Sequence, residues 1–159
     1  MLLKKIISGG QTGADRAALD VAIELGIAHG GAIPKGRRAE DGVLDKKYLL
    51  VEMETISYPK RTEKNVMDAD GTVIFSHGSL RGGSMLTANL AVKYKKPLLC
   101  LDVTKQSLDK AKTAVSRFLE REKIVILNVA GPRASGDPEI YKTVCEIMKA
   151  VVQSEIEKK

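Results

Sequence analysis

The sequence predicts one doubly wound α/β domain over residues 1–159, with a mainly parallel five-stranded sheet and helices on both faces. Three observations predict it. Short apolar runs without period-2 alternation recur along the chain, as parallel strands buried on both faces do. Between them lie segments whose apolar residues repeat with the 3.6-residue helical period. Strand and helix then alternate to the end, the pattern of parallel crossovers.

The first strand is Ile6-Ile7-Ser8, and Ala14, Ala17, Ala18, Val21, Ala22 and Leu25 stripe the helix after it. Residues 27–33 form a weaker second strand. Residues 34–59 read as an irregular polar segment, with "YLLVEME" adding a short edge strand. "RTEKN" (61–65) opens the next helix with Arg61 and Asn65 on one face. The third strand is Val73-Ile74-Phe75, followed by a helix beginning at Gly82-Gly83-Ser84. Leu98–Leu101 is the fourth strand, and Leu108, Ala111, Val115, Phe118 and Leu119 stripe its helix. Ile124–Leu127 is the fifth. The last helix carries Ile140, Val144, Ile147, Met148 and Val151, with Asp137 as N-cap and Pro138 at its first position.

In such sheets ligands sit beyond the carboxyl ends of the strands, where the strand order reverses. The loops at that edge after strands 1, 3 and 5 (9–15, 76–84 and 128–136) are rich in glycine and small polar residues. For the first two loops to face each other, strands 1 and 3 must be neighbours. The predicted order is therefore 2-1-3-4-5.

Composition narrows the partner. A formal charge of +6 suits a phosphate-bearing ligand, although the basic residues are spread along the chain. Two Phe, four Tyr and no Trp argue against a base-stacking platform, and so against nucleic acid. Cys100 and Cys145 fall in apolar stretches, and the two His and two Cys have no metal-ligand spacing. Two reduced core thiols and no metal are expected. With no signal peptide or membrane-spanning run in view, the expected location is the cytoplasm.

The first loop, "GGQTGAD", holds Gly9, Gly10, Gln11, Thr12, Gly13 and Asp15. It lacks the second glycine of a dinucleotide fingerprint and the lysine of a P-loop. Thr12 and Asp15 have capping-box spacing, so a helix starts here and its N-terminus faces the crevice. A tight strand-to-helix turn that binds nothing explains these glycines equally well. The second loop, "LRGGSM", shifts the balance toward a ligand. Gly82-Gly83-Ser84 again opens a helix, with Arg81 as a cation and Ser84 and Thr87 as hydroxyl donors. Two such N-termini together make a double anion cradle. "IPKGRRAEDG" places Lys35, Arg37 and Arg38 near the crevice mouth, where pairing with Glu40 and Asp41 is the competing reading.

"ISGGQTGADRAALDVAIELGI", "GAIPKGRRAEDG", "RTEKNVMDADGTVIF", "GGSMLTANLA" and "LNVAGPR" resemble the putative molybdenum cofactor carrier family, over about residues 5–150. That family is similar to the Lonely-guy phosphoribohydrolases and the DNA-processing protein DprA. The resemblance implies a Rossmann-like homo-oligomer that binds a phosphate-bearing pterin, the molybdenum cofactor (molybdopterin), or a nucleotide. One departure bears on turnover: where the phosphoribohydrolases have P-G-G-x-G-T-x-x-E, this chain has Arg81, Met85, Leu86 and Asn89. Asn89 stands in place of the catalytic glutamate and cannot exchange a proton as a carboxylate does. Ligand binding is thus the leading expectation, with nucleoside monophosphate hydrolysis and DprA-like nucleic-acid binding behind it. The expected contacts are Gly9, Gly10, Gln11, Thr12, Gly13, Asp15, Lys35, Arg37, Arg61, Gly82, Gly83, Ser84 and Thr87.

Overall fold

A computed structural model describes residues 1–158. The central sheet has five parallel strands: β1 (Lys5–Ile7), β2 (Ala28–Gly30), β7 (Gly71–Ser76), β8 (Leu98–Asp102) and β9 (Ile126–Ala130). Their order is β2-β1-β9-β7-β8. The apolar runs read as strands do form the sheet, and β7 is buried along its whole length. Registers run Lys5↔Ala28 and Lys5↔Ile126 about β1, and Gly71↔Leu127 and Thr72↔Leu98 about β7.

The predicted order is corrected at one point. The last strand, β9, inserts between β1 and β7, so the first and third predicted strands are separated. Buried parallel strands look alike in sequence, and nothing local tells the last one where to dock. The loop after β9 therefore lies between the two glycine loops and becomes part of whatever they bind.

Five helices flank the sheet: α1 (Ala14–Leu25), α2 (Tyr58–Asp68), α3 (Gly82–Lys93), α4 (Leu108–Glu122) and α5 (Ile140–Glu157). The main core forms where α1, α4 and α5 meet Ile6, Val73, Phe75, Leu127 and Val129. α2 and α3 pack together on the opposite face. Ser57 and Ser107 cap α2 and α4 by accepting the Lys60 and Lys110 N–H groups at 3.3 and 3.2 Å. Two predicted starts shift. α2 begins at Tyr58 rather than at Arg61, with Pro59 in its first turn. At α5, Asp137 and Pro138 form a turn, and the helix starts at Ile140.

Residues 27–33 divide at Gly31. Beyond it, β3 (Ala32–Ile33) leaves the sheet and pairs with β6 (Val51–Glu52), the edge strand expected in "YLLVEME". Between them β4 (Arg38–Ala39) and β5 (Gly42–Val43) form a small antiparallel hairpin. A second cluster of Leu19, Ile33, Leu44, Tyr48 and Leu50 seats this excursion on α1. Asp20 of α1 accepts the Tyr48 and Tyr141 hydroxyls, each at 2.5 Å, and so joins the excursion to α5.

Candidate functional site

A cleft of about 390 Å³ opens at the carboxyl ends of β1, β9 and β7. Its lining includes Gly9, Gln11, Asp15, Arg61, Thr62, Asn65, the Arg81–Ser84 turn, Thr87, and residues 128–133, 135 and 136. The two glycine loops that look equivalent in sequence play different parts in it.

In the first loop, the chain itself takes the main-chain amides of Gly10, Gln11, Thr12 and Ala14. Gly10 N–H donates to Ser8 Oγ at 3.3 Å, Gln11 N–H to Asp15 Oδ2 at 3.3 Å, and Thr12 N–H to Gln11 Oε1 at 3.1 Å. Ala14 N–H donates to Pro132 O at 3.2 Å. Its glycines answer to crowding within the protein. A Cβ on Gly9 would stand 2.5 Å from the Arg61 guanidinium, and one on Gly13 (φ 79°) 2.3 Å from Pro132 O. The capping-box expectation is corrected too: Gly13 is the α1 N-cap, without a side-chain bond. Thr12 Oγ1 instead donates to Glu40 and accepts Ala134 N–H at 3.1 Å. Glu40, two residues beyond the arginine pair, is a better partner for that hydroxyl than the helix end is.

The α3 terminus is open. Arg81 occupies the N-cap position with no capping side chain. Ser84 and Met85 N–H reach back to Arg81 O at 3.1 and 3.4 Å, whereas the Gly82 and Gly83 amides have no partner among the described residues. A Cβ at either glycine would meet nothing within 4 Å. Two free N–H groups, the positive end of the helix and the Ser84 side chain thus face the cleft, with the Arg61, Arg81 and Arg133 guanidiniums along its walls.

Asp15 is the one carboxylate in this lining. Burial pushes its pKa up from 3.8 to about 6, against the pull of Arg61 and of the Gln11 N–H bond. Arg61 is fixed behind it: Nη1 donates to Gly9 O at 2.6 Å, and the guanidinium lies 5.4 Å from the Tyr58 ring centre.

The profile of the circularly permutated YpsA SLOG family matches residues 6–152. The chain belongs to that family. Its strand order shows what the permutation does: read from β7 through β8, β9, β1 and β2, the sheet has the order 2-1-3-4-5 expected above. The prediction erred in the strand from which the count began. The start of the chain and its last helix do meet, since Leu2 and Leu3 N–H donate to the buried Glu155 carboxylate at 3.0 and 3.3 Å. The crystal structure of a "putative molybdenum carrier protein" from Syntrophus aciditrophicus SB is 52% identical, covers 95% of this chain and 96% of its own, and superposes with a TM-score of 0.94. No curated protein matches.

In this SLOG chain the cleft gathers Gly9, Gln11, Asp15, Arg61, Gly82, Gly83, Ser84 and Thr87 of the expected set. Gly10, Thr12, Gly13, Lys35 and Arg37 do not line it. Arg37 is turned inward at φ 53° and donates to the carbonyls of Leu50, Asp45 and Tyr48 at 3.2, 3.1 and 3.0 Å, so it staples the excursion shut. Lys35 stays exposed. His77 sits outside the lining, 2.5 Å from Asp137, while His29 Nε2 accepts Leu49 N–H at 3.1 Å. Thr62, Ser135 and residues 129–132 were not among the expected contacts, although the 128–136 loop was expected at this edge; that loop lies between the two glycine loops because β9 docks between β1 and β7.

Proposed function

We propose that this protein binds a small phosphate-bearing ligand, a molybdopterin-type pterin or a nucleotide, with its phosphate on the N-terminus of α3. The supporting observation is the pair of unpartnered Gly82 and Gly83 amides facing a cleft with three arginines and one carboxylate. Each charge-assisted hydrogen bond made there contributes about 1.5–3 kcal/mol. The name of the Syntrophus protein favours the pterin. The described residues include no His, Cys, Asp and Glu group able to hold a metal ion, and neither cysteine lines the cleft. In this reading molybdenum, as cargo, is carried through the organic part of its cofactor. A homo-oligomer is proposed on the family resemblance. No described helix is long and apolar enough to cross a membrane, and the cytoplasm remains the proposed location.

A thermal-shift panel with AMP, GMP, GTP, NAD and molybdopterin tests the reading. Ligand at a hundredfold over its dissociation constant adds about 2.7 kcal/mol, or about 5–10 °C for a chain of this size. No shift with any of them contradicts it.

Asp15 favours a second reading, hydrolysis of nucleoside monophosphates. A cleft carboxylate with a pKa near 6 is poised to exchange a proton near neutral pH. Chromatography for free base after incubation with nucleoside monophosphates decides it, and no base at saturating substrate rules it out.

A further inference from the structure

The β4–β5 turn sets an acidic side chain against the rim of the cleft. Glu40 Oε1 accepts the Thr12 hydroxyl and the Ser135 N–H, the latter at 3.0 Å, while Oε2 accepts the Ser135 hydroxyl at 2.6 Å. These hydroxyls, with Arg133 nearby, hold the Glu40 carboxyl below the usual range. Glu40 is exposed, so this donor set does not serve to pair a buried charge. Two hydroxyls and a main-chain N–H are groups that hold phosphate oxygens, and the Arg133 guanidinium acts on the Glu40 charge without a hydrogen bond to it. Arg133 and Ser135 also line the cleft, as does Gln11, whose Oε1 accepts the Glu40 N–H at 2.8 Å.

The hairpin is held to this rim by side chains. No backbone-to-backbone hydrogen bond joins residues 36–44 to 128–137 among the described residues. The next residue, Asp41, is anchored separately by Arg16, whose Nη1 and Nη2 reach its carboxylate at 2.9 and 3.1 Å. Glu40 can therefore leave while the hairpin stays tethered to α1.

We propose that Ser135 and Arg133 of the cleft's rim, with Thr12 just outside its lining, form an adjoining second anion subsite, which Glu40 fills in the free protein and from which a second phosphate of the ligand displaces it. The inference rests on the cleft being a ligand site. It narrows the ligand to one with two linked phosphates, such as a nucleoside diphosphate or a dinucleotide; among pterins it selects a nucleotide-linked form over molybdopterin itself, which carries one phosphate. A monophosphate would reach α3 alone and leave Glu40 in place.

Calorimetry of wild type and Glu40→Gln with orthophosphate and pyrophosphate tests it, together with amide exchange of residues 38–43 in the wild type. Glu40→Gln keeps the shape of the side chain and removes the competing charge. The pyrophosphate-to-orthophosphate affinity ratio should rise roughly tenfold in the variant. Saturating pyrophosphate should speed exchange in the wild-type hairpin. An unchanged ratio overturns the subsite while leaving the α3 site standing, and slower exchange overturns it by making the hairpin a lid that closes. If neither anion binds either protein, both readings fall.

Discussion

Replacing Asp15 by Asn should stabilise the ligand-free protein, and by an amount that depends on pH. The folded carboxyl titrates at about 6 against an ordinary 3.8. Between these values the folded protein keeps a proton that the unfolded chain has released. Wild-type stability from this group is therefore greatest at low pH, falls as pH rises from about 4 to about 6, and is level above that. A rise of about 2 in pKa corresponds to at most about 3 kcal/mol, or about 6–12 °C in Tm for a chain of this length. Asn is isosteric, and its oxygen can still accept the Gln11 N–H. The variant minus wild-type difference in urea unfolding should thus be near zero at pH 4 and reach its full value above pH 6.5. Taking the difference cancels the carboxylates whose pKa values are lowered, Asp41, Asp102 and Glu155 among them. A difference that is the same at pH 4 and pH 8 would mean that uncharging the cleft has no part in the effect.

Gly83→Ala should leave stability unchanged or raise it by up to about 1 kcal/mol, since its Cβ meets only open space. Phosphate-ligand affinity should nevertheless fall at least about tenfold, near 1.4 kcal/mol; calorimetry beside a thermal melt shows whether the two effects separate. Gly13→Ala should do the reverse and cost at least about 2 kcal/mol, because φ is 79° and Pro132 O blocks the Cβ; a melt within 2 °C of wild type contradicts that. Asp20→Ala leaves the Tyr48 and Tyr141 hydroxyls without their acceptor and should cost about 1–3 kcal/mol in urea unfolding. No change there would mean that the excursion is held by its apolar cluster alone.

The strands and helices were legible because burial on both faces and the helical period are written in single residues. Strand order was not. It was inferred by setting the two glycine loops on neighbouring strands, and that fails because β9, which carries no local mark of its docking place, inserts between β1 and β7. The site was half legible for a related reason. "GGQTGAD" and "LRGGSM" both announce a strand-to-helix turn, yet sequence does not say what a Cβ would meet. At Gly9 and Gly13 it meets Arg61 and Pro132, and at Gly82 and Gly83 it meets nothing. Charge misled at Arg37 in the same way, because its left-handed backbone turns the side chain onto carbonyls instead of toward a ligand.

The central claim is that phosphate sits on the open end of α3. Titrating the isotope-labelled protein with inorganic phosphate, and following each backbone amide by NMR, tests it most directly. The largest shifts should fall at Gly82, Gly83 and Ser84. Largest shifts at Gly10, Gln11 and Thr12, whose amides the chain already occupies, would contradict it, and so would no shift at either loop.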